Sequence, residues 1–213
     1  MIDLFDGHCD TILKCYLEGM SMCRSPGHLD LERTRKFGRY AQFFAAFGSP
    51  EDMPGRALWE VFLEEAALLQ RELEANSDRV ALCRTGAEAE AAFQAGKAAA
   101  FFSAEGAELL DCDLEKLRIA HKMGVRAVNL TWNHPNALSG TNAKEQDRGL
   151  SEQGRAFVRE MDALGMLVDV SHLSDPGFWD VIEVSTRPII ATHSNSRSVF
   201  FDTRNLTDAQ FTA

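Results

Sequence analysis

Three histidines and two carboxylates stand out in this 213-residue chain because each follows a short β-type run. His8 and Asp10 come after the run 2–7, Glu105 after 98–104, His172 after 166–171 and His193 after 188–192. On an extended segment, residues two apart send their side chains to the same face, so His8 and Asp10 point together. Imidazole with carboxylate suits zinc, manganese or iron, with zinc the default. Five such groups, two of them carboxylates, exceed what one closed tetrahedral zinc needs. They suit two ions bridged by a carboxylate, with positions left open for water and substrate.

The elements that must position these groups alternate. The run 40–47 is closed by Gly48-Ser49-Pro50, and a helix follows with Leu58, Phe62, Ala66, Leu69 and Leu73 on one face. Its acids Glu60, Glu64 and Glu65 read as a solvated face. A minor strand is expected over 79–83, an alanine-rich helix over 87–95 ended by Gly96, and a strand over 98–104. A helix over 113–123 stops at Gly124, a strand covers 125–131, and a polar, turn-rich loop covers 132–148. Ser151 caps a helix whose inner face is Phe157, Val158, Met161 and Leu164, and Gly165 ends it. The strand 166–171, a helix over 176–185 and the strand 188–192 complete the pattern.

Strands alternating with helices mean a parallel α/β sheet, doubly wound or closed into a barrel. Two features favour the barrel. No Gly-rich phosphate loop follows the first strand. The ligand-type residues sit at the C-terminal ends of several different strands, where barrel sites are built.

Composition narrows the partners. Hydrophobic residues at 45% and charged residues at 25% are the balance of a soluble globular chain. Acids outnumber bases 32 to 22, for a net charge of −10, and the densest basic stretch is Arg33-Thr34-Arg35-Lys36. Such a chain repels nucleic acid and anionic membrane. No apolar run approaches the ~20 residues of a membrane span. The start, Met1-Ile2-Asp3-Leu4-Phe5-Asp6, lacks the basic region of a signal peptide. Five cysteines without a C-x-x-C pair read as reduced thiols, and the expected location is the cytoplasm.

Five segments carry a resemblance. They are Asp6-Gly7-His8-Cys9-Asp10, Glu105-Gly106, Gly124-Val125-Arg126-Ala127-Val128-Asn129-Leu130-Thr131, Gly165-Met166-Leu167-Val168-Asp169-Val170-Ser171-His172, and Ala191-Thr192-His193-Ser194-Asn195. In this order they resemble the membrane (renal) dipeptidases, zinc dipeptidases of the amidohydrolase superfamily built on a (β/α)8 TIM barrel. The resemblance runs from Asp6 to about Asp208. It implies one metal-dependent hydrolase domain over 1–213, with two zinc ions per chain. His8 and Asp10 would hold one ion, His172 and His193 the other, and Glu105 would bridge them. Arg204 matches the arginine that takes the substrate's carboxylate. The implied reaction is hydrolysis of dipeptides, including those with a D-residue at the C-terminal side, by a hydroxide shared between the ions. Homodimers are a family expectation.

Two departures matter. Where many members carry a histidine after Leu-Thr, this chain has Trp132, and His134 is the expected replacement in substrate binding and catalysis. The chain also offers about six strand–helix units, whereas the family continues through strands seven and eight. The eighth carries an aspartate held to shuttle the proton. The expectation is a fragment, truncated before those strands. The alternatives are another amidohydrolase acting on N-acyl amino acids, lactams or lactones, and a non-catalytic metal-binding remnant. Among the other candidates, His28 and His121 read as structural or solvent-facing, Cys9 as packing, and Asp169 as a partner that orients a ligand imidazole.

Overall fold

The computed structural model describes residues 1–51 and 53–213. The chain folds into two compact units, one made of Met1–Ala104 with Met123–Arg126, the other of Glu105–Lys122 with Ala127–Ala213.

The first unit contains β1 (Leu4–Asp6), α1 (Thr11–Glu18), α2 (Leu31–Thr34), β2 (Tyr40–Phe47), α3 (Leu58–Ala75), β3 (Val80–Leu82), α4 (Gly86–Gln94) and β4 (Ala98–Glu105) up to Ala104. It also takes the first two residues of β5 (Val125–Asn129). Its strands follow the order β1-β2-β4-β5, with β3 pairing with β4. β1 runs parallel to β2 in the register Leu4↔Tyr40 to Asp6↔Gln42, and β3 parallel to β4 from Val80↔Ala98 to Leu82↔Ala100. All eight residues of β2 are buried, which is why its apolar run is continuous rather than alternating. Its one amide, Gln42, donates to the carbonyls of Phe43 (2.8 Å) and Asp6 (3.3 Å), so its burial leaves no donor stranded.

Helix α3 buries Val61, Phe62, Ala66, Leu69 and Leu73, and Phe62 stacks on Phe102 at 5.9 Å between ring centroids. Glu65 departs from the solvated face expected of it. Its side chain is fully buried, Oε2 accepts the Phe47 N–H at 2.8 Å, and Oε1 has no partner. The reason is angular: Glu65 lies three residues from Phe62 and four from Leu69, inside the apolar stripe.

The second unit begins at Glu105, the last residue of β4. A 3-10 turn (Ala107–Leu110) follows, then α5 (Leu114–Met123), most of β5, α6 (Glu152–Leu164), β6 (Leu167–Asp169), α7 (Asp175–Val184) and α8 (Asp208–Thr212). β5 and β6 are parallel, from Ala127↔Leu167 to Asn129↔Asp169. Ser151 caps α6 by accepting the Gly154 N–H at 3.0 Å, and Gly165 ends it in the left-handed conformation (φ +71°).

The strand expected over 188–192 contracts to one parallel bridge, Asp169↔Ile190. Ile190 alone makes the ladder bonds, accepting from Val170 (2.8 Å) and donating to Val168 (3.0 Å). Pro188 has no N–H to give, and the Thr192 N–H is diverted to the Asp169 carboxylate (3.2 Å). That diversion turns the chain out of the sheet at His193. Among the described residues, no helix is long and apolar enough to cross a membrane.

Candidate metal centre

In the first unit, the chain leaves β1 and brings His8 against Asp10, with Nε2 3.1 Å from Oδ1. Asp10 occupies the N-cap position of α1, where an aspartate ordinarily accepts a helix N–H, yet its side chain makes no cap bond. The carboxylate turns to the imidazole instead. Cys9, between them, is half-buried, and burial pushes its thiol up to about 12, which makes it an inert packing group.

In the second unit, three strand ends converge. Glu105 is buried, and its Oε1 lies 3.0 Å from His172 Nε2 and 3.1 Å from His193 Nε2, while the two Nε2 atoms are 2.9 Å apart. Backbone geometry fixes two of these positions. Gly106, at φ +93°, turns the chain directly after Glu105, and a Cβ there would stand 2.5 Å from Glu108 Oε1. His172 itself has φ +72°, an uncommon conformation for a residue with a side chain, and the Asn142 N–H holds its carbonyl at 2.9 Å.

The hydrogen bonds behind the imidazoles set their tautomers. His172 Nδ1 lies 3.0 Å from Asn133 Oδ1, an acceptor, so Nδ1 carries the proton. For His193 the chain of bonds is longer. Asp169 accepts from the Ser171 N–H (3.0 Å), the Thr192 N–H (3.2 Å) and the Thr192 hydroxyl. With its proton committed to Asp169, Thr192 Oγ1 accepts from His193 Nδ1 at 2.7 Å. Both rings therefore present lone pairs at Nε2. Burial, with the positive charge of Arg204 adding to it, lowers the His172 pKa, although the Glu105 carboxylate opposes the shift. His172 is thus held in the neutral form that binds metals. Two imidazole lone pairs and a carboxylate oxygen within 3.1 Å of one another form a donor set whose residue types fit a divalent metal.

Around this triad, Arg204 is half-buried and donates to Ser194 Oγ at 3.0 Å. Burial lowers its pKa, against the pull of Glu105, Asp169 and Asp202. Trp132 bridges two rings, with its centroid 5.6 Å from His134 and 6.4 Å from His172. His134 Nδ1 contacts Lys144 Nζ at 3.0 Å, so this ring faces the polar loop as well as Trp132. Glu108 was not singled out from the sequence. Burial, reinforced by Glu105, pushes its carboxyl up to about 7, and Asn136 Nδ2 donates to it at 2.8 Å. Asn133 and Thr192 were missed too, and only their adjacency to Trp132 and His193 hinted at a role. Asp169 reaches an imidazole, but through the Thr192 hydroxyl. Of the expected metal ligands, the structure pairs His8 with Asp10 and gathers Glu105, His172 and His193.

Parallel strands alternating with helices, with imidazoles and carboxylates at the strand ends, define the α/β-barrel class of metal-dependent hydrolases. The sequence profile of the membrane dipeptidases (peptidase family M19) matches residues 1–213. The chain belongs to this family of metallopeptidases. It is 34% identical to the dipeptidase tcpJ of Claviceps purpurea, over 85% of this chain and 45% of that protein. It superposes on a Rhodobacter sphaeroides metallopeptidase, solved with a phosphinate mimic of the dipeptide L-Ala-D-Ala, with a TM-score of 0.86 and 31% identity. That match covers 98% of this chain and 70% of the other. The crystal structure of the metallopeptidase dipeptidase AC matches with a TM-score of 0.85 and 32% identity, over 98% and 68%. The chain thus spans less than half of tcpJ and about two thirds of the two solved peptidases.

Proposed function

We propose that this chain carries the metal centre of a dipeptidase that hydrolyses the peptide bond of dipeptides, including L-Ala-D-Ala. The observation that carries the reading is the convergence of Glu105 Oε1, His172 Nε2 and His193 Nε2 within 3.1 Å, with both imidazoles oriented from behind to offer lone pairs. His8, Asp10, Glu105, His172 and His193 would hold two divalent ions, zinc by donor type, with Glu105 shared. When bound, such ions supply Lewis acidity and a water acidified towards neutral pKa.

The chain's own residues do the rest. Arg204 offers a planar cation whose two-point grip on a free C-terminal carboxylate favours short peptides. Burial, with the field of Arg204 adding to it, favours the neutral form of His172, and the bonds to Asn133 and Thr192 aim both imidazoles, so that protons move on substrate and water rather than on His172. His134, beside Trp132, would meet the substrate's carbonyl side.

The test is metal content per chain after dialysis, by elemental mass spectrometry, with turnover of L-Ala-D-Ala. About two divalent ions per chain, lost in His172→Ala or His8→Ala, is the expected result. A folded chain that retains no metal would overturn the reading.

A further inference from the structure

In the first unit, away from every proposed metal ligand, a cavity of about 450 Å3 opens between α3 and β3. That volume lies within the ~300–1,000 Å3 typical of small-molecule sites. Its walls include Leu69, Leu73, Val80, Leu82 and Phe102, and Leu82 remains half-buried. Val80 and Leu82 pair with Ala98 and Ala100, so the cavity runs along β3, from Lys97 at one end to Arg84 at the other. Glu74 also lines the cavity, and its Oε1 accepts from Gln70 at 2.9 Å.

The Arg84 end is different. Among the described residues, the Arg84 side chain has no hydrogen-bond or ion-pair partner, because Glu88 accepts from the Arg84 backbone N–H instead. Arg126 stands beside it as a second guanidinium and donates to the Arg84 carbonyl at 3.1 Å. Burial, with the like charge of Arg84, lowers the Arg126 pKa, and the Glu88 carboxylate opposes the shift. Arg84, an exposed guanidinium lining one end of an apolar groove, suits an anion with an apolar tail.

We propose that this groove binds an amphipathic monocarboxylate of the medium-chain fatty-acid class. The carboxylate would lie on Arg84 and the alkyl chain along Leu82, Leu69, Val80 and Leu73. Arginine suits the head group because its planar fork matches a carboxylate in a two-point bond. The inference is independent of the dipeptidase reading, since it uses none of that site's residues.

The test is calorimetric titration of the full chain with decanoate, decanol and decylammonium, each below its micellar range. Saturable binding of one decanoate per chain is expected, at least ten-fold tighter than either comparator. Arg84→Ser should weaken it at least ten-fold, whereas Arg71→Ser, an exposed arginine on α3 outside the groove, should leave it unchanged. Ala67→Trp, on the exposed wall, should block it while circular dichroism stays native. Absence of saturable binding, equal binding of decylammonium, or equal losses in both arginine variants would overturn the proposal.

Discussion

Replacing Glu65 by glutamine should stabilise the protein, and should do so more as pH rises. Burial pushes this carboxyl up to about 8, against the one favourable contact from the Phe47 N–H and with the Asp10 charge adding to the shift. In the unfolded chain a glutamate titrates near ~4.3. Between these values the folded protein holds a proton that the unfolded chain has released, so stability falls as pH rises from about 4.3 to about 8. The slope is about 1.4 kcal/mol per pH unit, which by pH 7 amounts to roughly 3–4 kcal/mol of stability absent relative to a neutral group. Glutamine keeps an acceptor for the Phe47 N–H and places a neutral amide where Oε1 lacks a partner. Allowing for the cost of burying that amide, the gain at pH 7 is about 2–3 kcal/mol.

Urea unfolding followed by far-ultraviolet circular dichroism at pH 5, 6, 7 and 8 reads this directly. The difference between wild type and Glu65→Gln cancels every other titrating group that the two proteins share. It should be small at pH 5 and grow with each unit to pH 8. A difference that is independent of pH, or a variant less stable at pH 8, would refute a neutral Glu65.

Thr192→Val removes the hydroxyl that passes Asp169's influence to His193. It should weaken metal binding ~10–100-fold in a chelator competition, while Thr192→Ser retains it. Gly106→Ala must relieve a left-handed φ and a Cβ 2.5 Å from Glu108, at a cost of ~1–3 kcal/mol in thermal unfolding, with loss of bound metal as Glu105 moves. Arg204→Met should leave metal content unchanged and lower kcat/KM for L-Ala-D-Ala ~10–100-fold through KM, as expected for one charge-assisted contact to the substrate's carboxylate. An unchanged kcat/KM would remove Arg204 from the site.

What the sequence discloses and what it hides follow from range. β2 is legible from end to end because eight buried residues in a row need no partner to be recognised. The α6 boundaries are legible because Ser151 and Gly165 act on their own helix. Strand-end placement alone brings Glu105, His172 and His193 forward, since the C-terminal ends of parallel strands share one rim. Glu65 was half-visible: its position in the period puts it inside α3's stripe, and only its charge argued for solvent. The strand 188–192 misleads because its apolar pattern is intact while its donors are not. Pro188 has none, and Thr192 gives its own to Asp169. The same diversion supplies the orientation of His193. The irregularity that defeats a strand assignment is therefore part of what builds the site: a backbone that stayed in the ladder through residue 192 would leave Asp169 without its Thr192 contacts and His193 without a fixed tautomer.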